Sequence, residues 1–273
     1  MDQEKNEMLP VVYVSHGPGP YPLVWKRNGE YSELVSEYET IPKRLKLDEK
    51  NVKAILVVSA HFETGGGRLE VTSQAKHKSL LYDYSGFPGW TYEVKYSPGG
   101  SIETAKRVCD VLKESKISCV QNTKRNFDHG VFVPLSLMFP KANIPTLQLS
   151  IPRVERDSAE SNARACLAIG EALRPLRKEG VLIVASGSAT HGRGKPVKFI
   201  KALVRTLNDT DKKRRLETMA KWEQTLPEAR QAHGREEHLL PLHVALGAAD
   251  DGKVILCDKG WWRSLSMAHF AFL

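Results

Sequence analysis

Three of the nine histidines in this 273-residue chain lie at or just past the end of an apolar, β-branched run. The runs cover 11–15, 54–60 and 181–186, and the histidines at their ends are His16, His61 and His191. Continuous apolar runs of this length are typical of strands that are buried on both faces of a parallel sheet. Since the functional crevice of an open α/β sheet lies outside the carboxyl ends of its strands, we expect the three imidazoles to converge there.

The rest of the pattern predicts an α/β fold with a mostly parallel central sheet flanked by helices. We expect one domain over 9–273 after a short polar tail over 1–8, because 273 residues lie within the range of single α/β domains. The second strand is predicted to end at His61. Further strands are predicted over 69–72, 117–121 and 146–151, with one or two more in 254–257 and 264–272. Helices are predicted over 32–45, 101–115, 157–178, 196–207, 212–222 and 235–246, with a short apolar helix between His129 and Pro140.

The formal net charge of the chain is +8, and much of the excess lies in two basic runs, 106–125 and 195–215. These runs are typical of solvated, lysine-rich helix faces, and they lack the interleaved aromatic residues of a nucleic-acid surface. We therefore expect no nucleic-acid partner, while steering of anionic small molecules stays open.

The sequence also bears on the compartment of the protein. It has neither an apolar stretch of membrane-spanning length nor a signal peptide, so we expect no membrane partner and a cytoplasmic location. The cysteines fit that expectation, because they are far apart and form no CxxC pair. We expect buried thiols at Cys109, Cys119, Cys166 and Cys257. The oligomeric state stays open.

A metal ion is the simplest explanation for imidazoles that converge at the end of a sheet. Neutral imidazole binds zinc, iron, nickel and copper, and three ligands suffice for a catalytic site with an open position. For any one of these histidines a structural hydrogen bond is an equally good explanation, but for three together it is a weaker one. His238 joins the group, because the predicted helix over 235–246 places its first turn within reach of the sheet.

The remaining histidines divide into one further candidate and four structural residues. His129 follows Phe127 and Asp128 on a loop that enters a helix, where it can act as an acid/base group. The alternative for this segment is a capping loop in which Asp128 matters instead. The expected structural residues are His77, His233, His243 and His269.

Other catalytic signatures are weak or absent. The segments around Ser15 and Ser186 do not form a GxSxG nucleophile elbow, and the turn over 17–19 is too rich in proline to cradle a phosphate. The sequence also has no HExxH or Walker motif. The stretch over 83–90 is rich in aromatic residues, glycine and proline, which is typical of a structured loop that forms a pocket wall.

Nine short segments follow one another along the chain: Ser15-His16-Gly17, Val57-Val58-Ser59-Ala60-His61-Phe62, Ser85-Gly86-Phe87-Pro88, Tyr96-Ser97-Pro98-Gly99, Phe127-Asp128-His129-Gly130, Pro145-Thr146-Leu147-Gln148-Leu149-Ser150-Ile151, Ala185-Ser186-Gly187-Ser188-Ala189-Thr190-His191, Glu237-His238-Leu239-Leu240-Pro241-Leu242 and Ser264-Leu265-Ser266-Met267. Taken in order, these segments resemble the DOPA-dioxygenase type of class III extradiol ring-cleaving dioxygenases over nearly the whole chain. Each segment is weak alone, but their order and spacing together are specific. Two departures, Pro18-Gly19-Pro20 after the first His-Gly and Gly192 after His191, border the pocket and bear on the identity of the substrate.

The resemblance implies a metal-dependent catalytic domain over 9–273 that opens the ring of a DOPA-like catechol with O2. It implies metal ligation by His16, His61 and His238, with His191 as a further ligand or the catalytic base. Glu237 is the reserve ligand, since other class III enzymes use a glutamate. The implied metal is Fe(II) for turnover, with Zn(II) an alternative occupant of the isolated protein.

The resemblance also implies a pocket around the metal. In that pocket His129 would bind substrate or transfer protons, and Phe62, Phe87 and Trp90 are candidates for its aromatic walls. Two rival functions stay open on the same fold. One is a zinc hydrolase with His129 or Glu237 as base, and the other is a non-enzymatic binding or adaptor protein.

Overall fold

The central strands are buried on both faces, as their unbroken apolar sequences predict. We describe residues 8–77, 79–153, 159–249, 253–257 and 260–273 of a computed structural model. In the first strand Val11 and Tyr13 pack into one apolar core, while Val12 and Val14 pack into a second core on the other side of the sheet. The same alternation holds in the strands that begin at Ala54 and Val181, since successive side chains of a strand point to opposite faces.

Eight of the described strands form one sheet. They are β1 (Val11–Ser15), β2 (Ala54–Thr64), β3 (Arg68–Thr72), β4 (Ser118–Asn122), β5 (Thr146–Pro152), β6 (Val181–Gly187), β7 (Val254–Cys257) and β10 (His269–Phe272). Their order is β4-β3-β5-β2-β6-β1-β10-β7. The four central strands, β5, β2, β6 and β1, are parallel, and antiparallel pairing occurs only toward the two sides. A separate hairpin pairs β8 (Trp261–Trp262) with β9 (Leu265–Ser266).

Helices cover both faces of this sheet. They are α1 (Tyr21–Asn28), α2 (Ser32–Arg44), α3 (Ile102–Glu114), α4 (His129–Met138), α5 (Ala159–Leu173), α6 (Val197–Leu207), α7 (Lys212–Ala220), α8 (Trp222–Thr225), α9 (Ala229–Ala232) and α10 (Leu240–Ala248), with 3₁₀ turns at Gly89–Glu93 and Arg174–Arg177. Helices α1, α2 and α4 pack into one core, and α3, α5, α6, α7 and α10 pack into the other. The predicted single α/β domain with a mostly parallel sheet is therefore confirmed. Within the described residues, no helix combines the length and the apolar character needed to cross a bilayer.

The structure corrects three of the predicted element boundaries. The second strand does not end at His61 but continues to Thr64. The helix predicted over 235–246 begins only at Leu240, because Pro241 lacks an N–H group and fits the first turn of a helix. The helix predicted over 212–222 ends at Ala220. Helix α1 is an additional element that was not predicted. Residues 1–7 of the predicted tail over 1–8 and the predicted helix start at Asp157 lie outside the described residues.

Two glycines allow close contact between α5 and α10 on one face of the sheet. A Cβ atom on Gly170 would lie 2.0 Å from the carbonyl oxygen of Val244. A Cβ atom on Gly247 would lie equally close, at 2.0 Å, to the carbonyl oxygen of Leu167. Because these neighbours are backbone atoms, any larger residue would force the two helices apart.

We predict that Gly170→Ala lowers the free energy of unfolding by about 3 kcal/mol, since α5 and α10 would have to separate. Urea denaturation of the variant and the wild type measures the difference. Gly89→Ala is the matched control, because a Cβ atom there meets nothing within 4 Å. Equal stability of Gly170→Ala and the wild type would contradict the close packing.

Candidate metal centre

A β-bulge in β2 places His61 at the centre of the histidine cluster. The pairing of β2 with β5 is interrupted between Val58 and Glu63, so the segment that carries His61 departs from the regular ladder. Bulges bend a strand and redirect its side chains. The backbone carbonyl of His61 is held by Arg125, whose Nη2 donates a hydrogen bond to it at 2.9 Å.

Two imidazoles, those of His16 and His238, have their Nε2 atoms close to Nε2 of His61. The Nε2 atom of His61 lies 3.1 Å from that of His16 and 3.3 Å from that of His238. Two nitrogens bound at about 2.1 Å to one tetrahedral ion lie about 3.4 Å apart, so the observed spacing fits a shared metal ion. Each neutral ring has only one N–H group. A ring that carries its proton on Nδ1 therefore has no proton on Nε2 to donate to its neighbours.

The Nδ1 atoms of these rings face fixed hydrogen-bond partners. Nδ1 of His16 lies 2.9 Å from the hydroxyl of Ser186, and that hydroxyl donates its own proton to the carbonyl oxygen of Gly130. Ser186 must therefore accept the proton of His16 Nδ1. This network assigns the tautomer of His16 and leaves the lone pair on Nε2, as a metal ligand requires.

Asp83 is the hydrogen-bond acceptor that faces Nδ1 of two other rings, those of His61 and His129. Its Oδ2 atom lies 3.3 Å from Nδ1 of His61, and its Oδ1 atom accepts hydrogen bonds from Nδ1 of His129 at 2.8 Å and from the His129 backbone N–H at 3.0 Å. Burial raises the pKa of Asp83, but the hydrogen bonds and charge of His129 outweigh that effect and lower it to about 2. The carboxylate is therefore ionised and holds both imidazoles with their protons on Nδ1.

His238 lies on the turn before α10 and is tied to the end of β6. Its carbonyl oxygen accepts hydrogen bonds from the Ser188 backbone N–H at 3.0 Å and from the Tyr13 hydroxyl at 3.3 Å. Its Nδ1 lies 2.8 Å from Oε1 of Glu237, which places the ring proton on Nδ1. The other carboxylate oxygen of Glu237 lies 3.4 Å from Nη1 of Arg235.

Glu237 is thus engaged with the side chains around it. Burial raises the pKa of its carboxyl group. Its contact with Nδ1 of His238 would suit a group that orients that ring, and the reserve-ligand role that the resemblance implied stays a prediction. The ligand atoms of His191, Glu237 and His238 nevertheless all lie within 4.8 Å of one another.

His129 and His191 flank the three central imidazoles in different ways. The side chain of His129 is buried at the start of α4, and its ring centroid lies 4.0 Å from that of His61. Its ligand atom lies within 4.8 Å of those of His16 and His61, so it is within reach of the same ion. The ring of His191 stacks on His238 with centroids 3.6 Å apart and an interplanar angle of 12°, and 43% of its side chain is exposed.

Burial keeps the central imidazoles neutral. Desolvation, followed by repulsion from the neighbouring histidines, lowers the pKa of His16 and of His238 far below its usual value. The same two effects outweigh the attraction of Asp128 and Asp83 and lower the pKa of His61 to about 4. Neutral imidazole is the form that binds a metal, so these residues are ready to bind at neutral pH.

A buried polar network centred on Asp128 packs next to the histidine cluster. The fully buried carboxylate of Asp128 accepts hydrogen bonds from Ser59 at 2.8 Å, from Arg125 at 3.0 Å and from Gln148. A Cβ atom on Gly130 would lie 2.7 Å from the Ser59 hydroxyl and 3.3 Å from Nδ1 of His16. The segment over 127–130 therefore holds His16 and His61 through close backbone contact as well as through His129.

The three predicted wall residues have different surroundings. Phe87 packs edge-on against Tyr84, with ring centroids 5.4 Å apart, and Tyr84 in turn lies 6.0 Å from the ring of His129. The guanidinium of Arg27 lies 4.5 Å above the ring of Trp90. Phe62 is buried, and Arg125 covers its ring at 4.5 Å. Phe87 is connected to the histidine cluster through Tyr84, and Phe62 through Arg125, which bonds the His61 carbonyl.

The four histidines predicted to be structural are all buried. His243 lies close to backbone carbonyls with both ring nitrogens, and Nε2 of His233 lies 3.1 Å from the carbonyl of Ala189. His269 accepts the backbone N–H of Ser15 at 3.2 Å, just before His16. His77 packs on Phe127 with ring centroids 3.7 Å apart.

Sequence reasoning missed three of the groups that orient the imidazoles. Asp83 and Ser186 were not singled out, and Glu237 was considered as a ligand or a base but not as a group that orients an imidazole. A signal existed for Asp83, because it begins the aromatic loop that was predicted to be a pocket wall. Ser186 ends a predicted strand next to the site, but nothing in its spacing indicates which imidazole it faces.

The fold and the site together define a class of protein: an α/β protein with a three-histidine centre that could hold a metal at the carboxyl ends of its parallel strands. The family model described as "Catalytic LigB subunit of aromatic ring-opening dioxygenase" matches residues 10–269. The chain belongs to this family. The predicted resemblance to ring-opening dioxygenases is therefore confirmed.

Individual relatives agree with the family match. The chain is 39% identical over 227 residues to a "4,5-DOPA dioxygenase extradiol" of Beta vulgaris, covering 80% of this chain and 81% of that one. It is 31% identical over 277 residues to a "4,5-DOPA dioxygenase extradiol-like protein" of Schizosaccharomyces pombe, covering 92% and 89%. The crystal structure of an uncharacterized Escherichia coli K12 protein shares the fold, with a TM-score of 0.67 at 24% identity over 97% of this chain and 100% of that one.

We predict that Asp83→Asn weakens metal binding about 10-fold to 100-fold, because an amide cannot hold two Nδ1–H groups as an ionised carboxylate does. Titration of the metal-free protein with Zn(II) in the presence of a competing chelator measures the affinity. Asp110→Asn on α3 is the matched control and should bind zinc like the wild type. Unchanged affinity in Asp83→Asn would show that this carboxylate does not orient the ligands.

The buried structural histidines predict acid lability. Burial lowers the pKa of His233 and of His269 to about 3, against about 6.5 in an unfolded chain, so protons bind preferentially to the unfolded state. For the metal-free protein we expect full stability above pH 6.5 and a loss of about 1.4 kcal/mol per pH unit for each of these residues as the pH falls toward 3.

Urea denaturation at several pH values measures this slope. His269→Gln should reduce the slope by about one proton, whatever its effect on stability at pH 8. The same slope in wild type and variant would mean that His269 is not the neutral, buried group that the structure shows.

Proposed function

We propose that the protein is an extradiol dioxygenase that opens the ring of a DOPA-like catechol with O2, using Fe(II) held by His16, His61 and His238. The observation that carries this proposal is that Nε2 of His61 lies 3.1 Å from Nε2 of His16 and 3.3 Å from that of His238, while Nδ1 of each ring faces a fixed hydrogen-bond partner. Bound iron would supply a template for the two catechol oxygens and O2, together with a path for electrons. Zn(II) would fit the same three nitrogens in the isolated protein.

His191 is the proposed catalytic base, and its geometry favours this role over ligation. Its ring stacks nearly parallel on that of His238, and its ligand atom groups with those of Glu237 and His238 and not with those of His16 and His61. Burial, followed by repulsion from His129, lowers the pKa of His191, so the ring is neutral at pH 7 and can accept a catechol proton. Because 43% of its side chain is exposed, a substrate could reach this ring from solvent.

His129 is proposed to position the substrate or to transfer a second proton. Its Nδ1 proton is committed to Asp83, so Nε2 is the atom that can accept a hydrogen bond from a catechol hydroxyl. The ring of Phe87, linked to His129 through Tyr84, would pack against the aromatic ring of the substrate. Phe62 and Trp90 remain weaker candidates for that contact.

The direct test is oxygen uptake by anaerobically Fe(II)-loaded protein on addition of DOPA and a panel of small catechols. We expect oxygen consumption together with a yellow chromophore, as a ring-opened semialdehyde would give. His16→Ala should abolish both signals and lower the iron content. Tight metal binding without oxygen uptake would shift the assignment to a zinc hydrolase, and the absence of metal binding would shift it to a binding protein.

We predict that His191→Gln lowers kcat about 100-fold to 10,000-fold while the bound iron stays unchanged, because the variant loses the base but keeps all three proposed ligands. Steady-state oxygen uptake and iron analysis measure the two quantities. Lys195→Ala, an exposed change in the same loop, is the control and should retain wild-type turnover. Wild-type turnover in His191→Gln would exclude this residue as the base, whereas loss of iron would make it a ligand.

A further inference from the structure

The expectation of buried thiols is wrong for Cys109 and Cys119 and confirmed for Cys166, while the side chain of Cys257 lies outside the described part of the chain. Cys109 lies on α3 and Cys119 on β4, the strand that follows α3 in the chain, and their Sγ atoms are 2.7 Å apart. Both residues are partly exposed and carry free thiols. Since a disulfide bond is about 2.05 Å long, the two sulfur atoms need to approach by less than about 1 Å to bond.

The surroundings of the pair allow a small reagent to reach it. A surface cavity of about 380 Å³ is lined by both cysteines together with Lys113 and Lys116. Cys166, by contrast, is fully buried on α5, and burial raises the pKa of its thiol. Reactivity of a cysteine follows its thiolate character and its exposure, so the two sites should behave differently toward the same reagent.

The contact between the two thiols also gives them different roles. The hydrogen bond between the two thiols, opposed by burial, lowers the pKa of Cys109. The same hydrogen bond, with burial, raises the pKa of Cys119. At 2.7 Å either sulfur can attack the other after oxidation, and the lowered pKa of Cys109 favours it as the thiolate that reacts first.

We propose that Cys109 and Cys119 form a peroxide-reactive dithiol that closes to an intramolecular disulfide and is reopened by dithiol reductants. The Cys109 thiolate attacks one oxygen of hydrogen peroxide, which breaks the O–O bond and gives a sulfenic acid and, after protonation, one water. Cys119 then attacks the Cys109 sulfur, its proton leaves with the hydroxyl group as a second water, and the disulfide forms. Two thiols are oxidised and one peroxide is reduced to two waters.

This site is separate from the histidine cluster, so it does not depend on the proposed dioxygenase function. Strand β4 is at the edge of the sheet, and β3 and β5 lie between it and β2, which carries His61. Neither cysteine is among the residues assigned to metal binding or catalysis. The disulfide would join α3 to β4 on the side of the sheet away from β1.

Peptide mapping tests the proposal directly. The reduced full-length protein is treated with stoichiometric hydrogen peroxide and, separately, with diamide, which oxidises paired thiols without iron chemistry. Trypsin cuts after Arg107, Lys113, Lys116 and Lys124, so Cys109 falls in fragment 108–113 and Cys119 in fragment 117–124. We expect these fragments to be joined by one disulfide under both oxidants, and to separate again after treatment with a dithiol.

Variants distinguish the two roles. In Cys119→Ser the sulfenic acid on Cys109 has no partner, so dimedone should trap it in far higher yield than in wild type. Cys166→Ser is the matched control and should form the same disulfide as the wild type. Unlinked fragments under both oxidants, disulfides only between separate molecules, or equal dimedone labelling of wild type and Cys119→Ser would each overturn the proposal.

Discussion

The centre of this protein depends on where each imidazole keeps its proton. His16, His61 and His238 can face one another with their Nε2 atoms only because Ser186, Asp83 and Glu237 take the protons of the opposite ring nitrogens. Facing lone pairs repel, and the surrounding fold must oppose that repulsion when no cation is bound. The orienting groups and the proposed ligands therefore form one unit, because the ligands keep their tautomer and orientation only through those groups.

The parallel sheet provides the rigidity that this arrangement requires. β1, β6 and β2 are hydrogen-bonded neighbours in the sheet centre, so the histidines near their carboxyl ends come together without long loops. Two apolar cores clamp these strands from both faces. His238 comes from the opposite end of the sequence, yet it reaches the same edge because its turn is hydrogen-bonded to the end of β6 through Ser188. Because the supporting strands are fully buried and closely packed, they hold the histidines with little flexibility.

Sequence reasoning was strongest where one physical rule decides the outcome. Buried parallel strands need unbroken apolar runs, and this rule located β1, β2 and β6 and placed His16 and His61 at the edge where they lie. It failed where a local departure from regularity matters. The bulge in β2 leaves no periodic signature, so the strand was ended at His61, three residues too early. The contact between Cys109 and Cys119 was missed because spacing along the chain does not show which face of α3 meets β4.

The side chain of Arg125 links the edge of the sheet to its centre. This residue follows β4, and its guanidinium bonds both to the backbone of His61 and to Asp128. Edge strands have one neighbour instead of two, and they are where native sheets open most readily. Transient fraying of β4 would loosen the grip of Arg125 on His61. Faster amide hydrogen exchange in β4 would then accompany a less rigid histidine cluster, although three strand spacings separate β4 from β2.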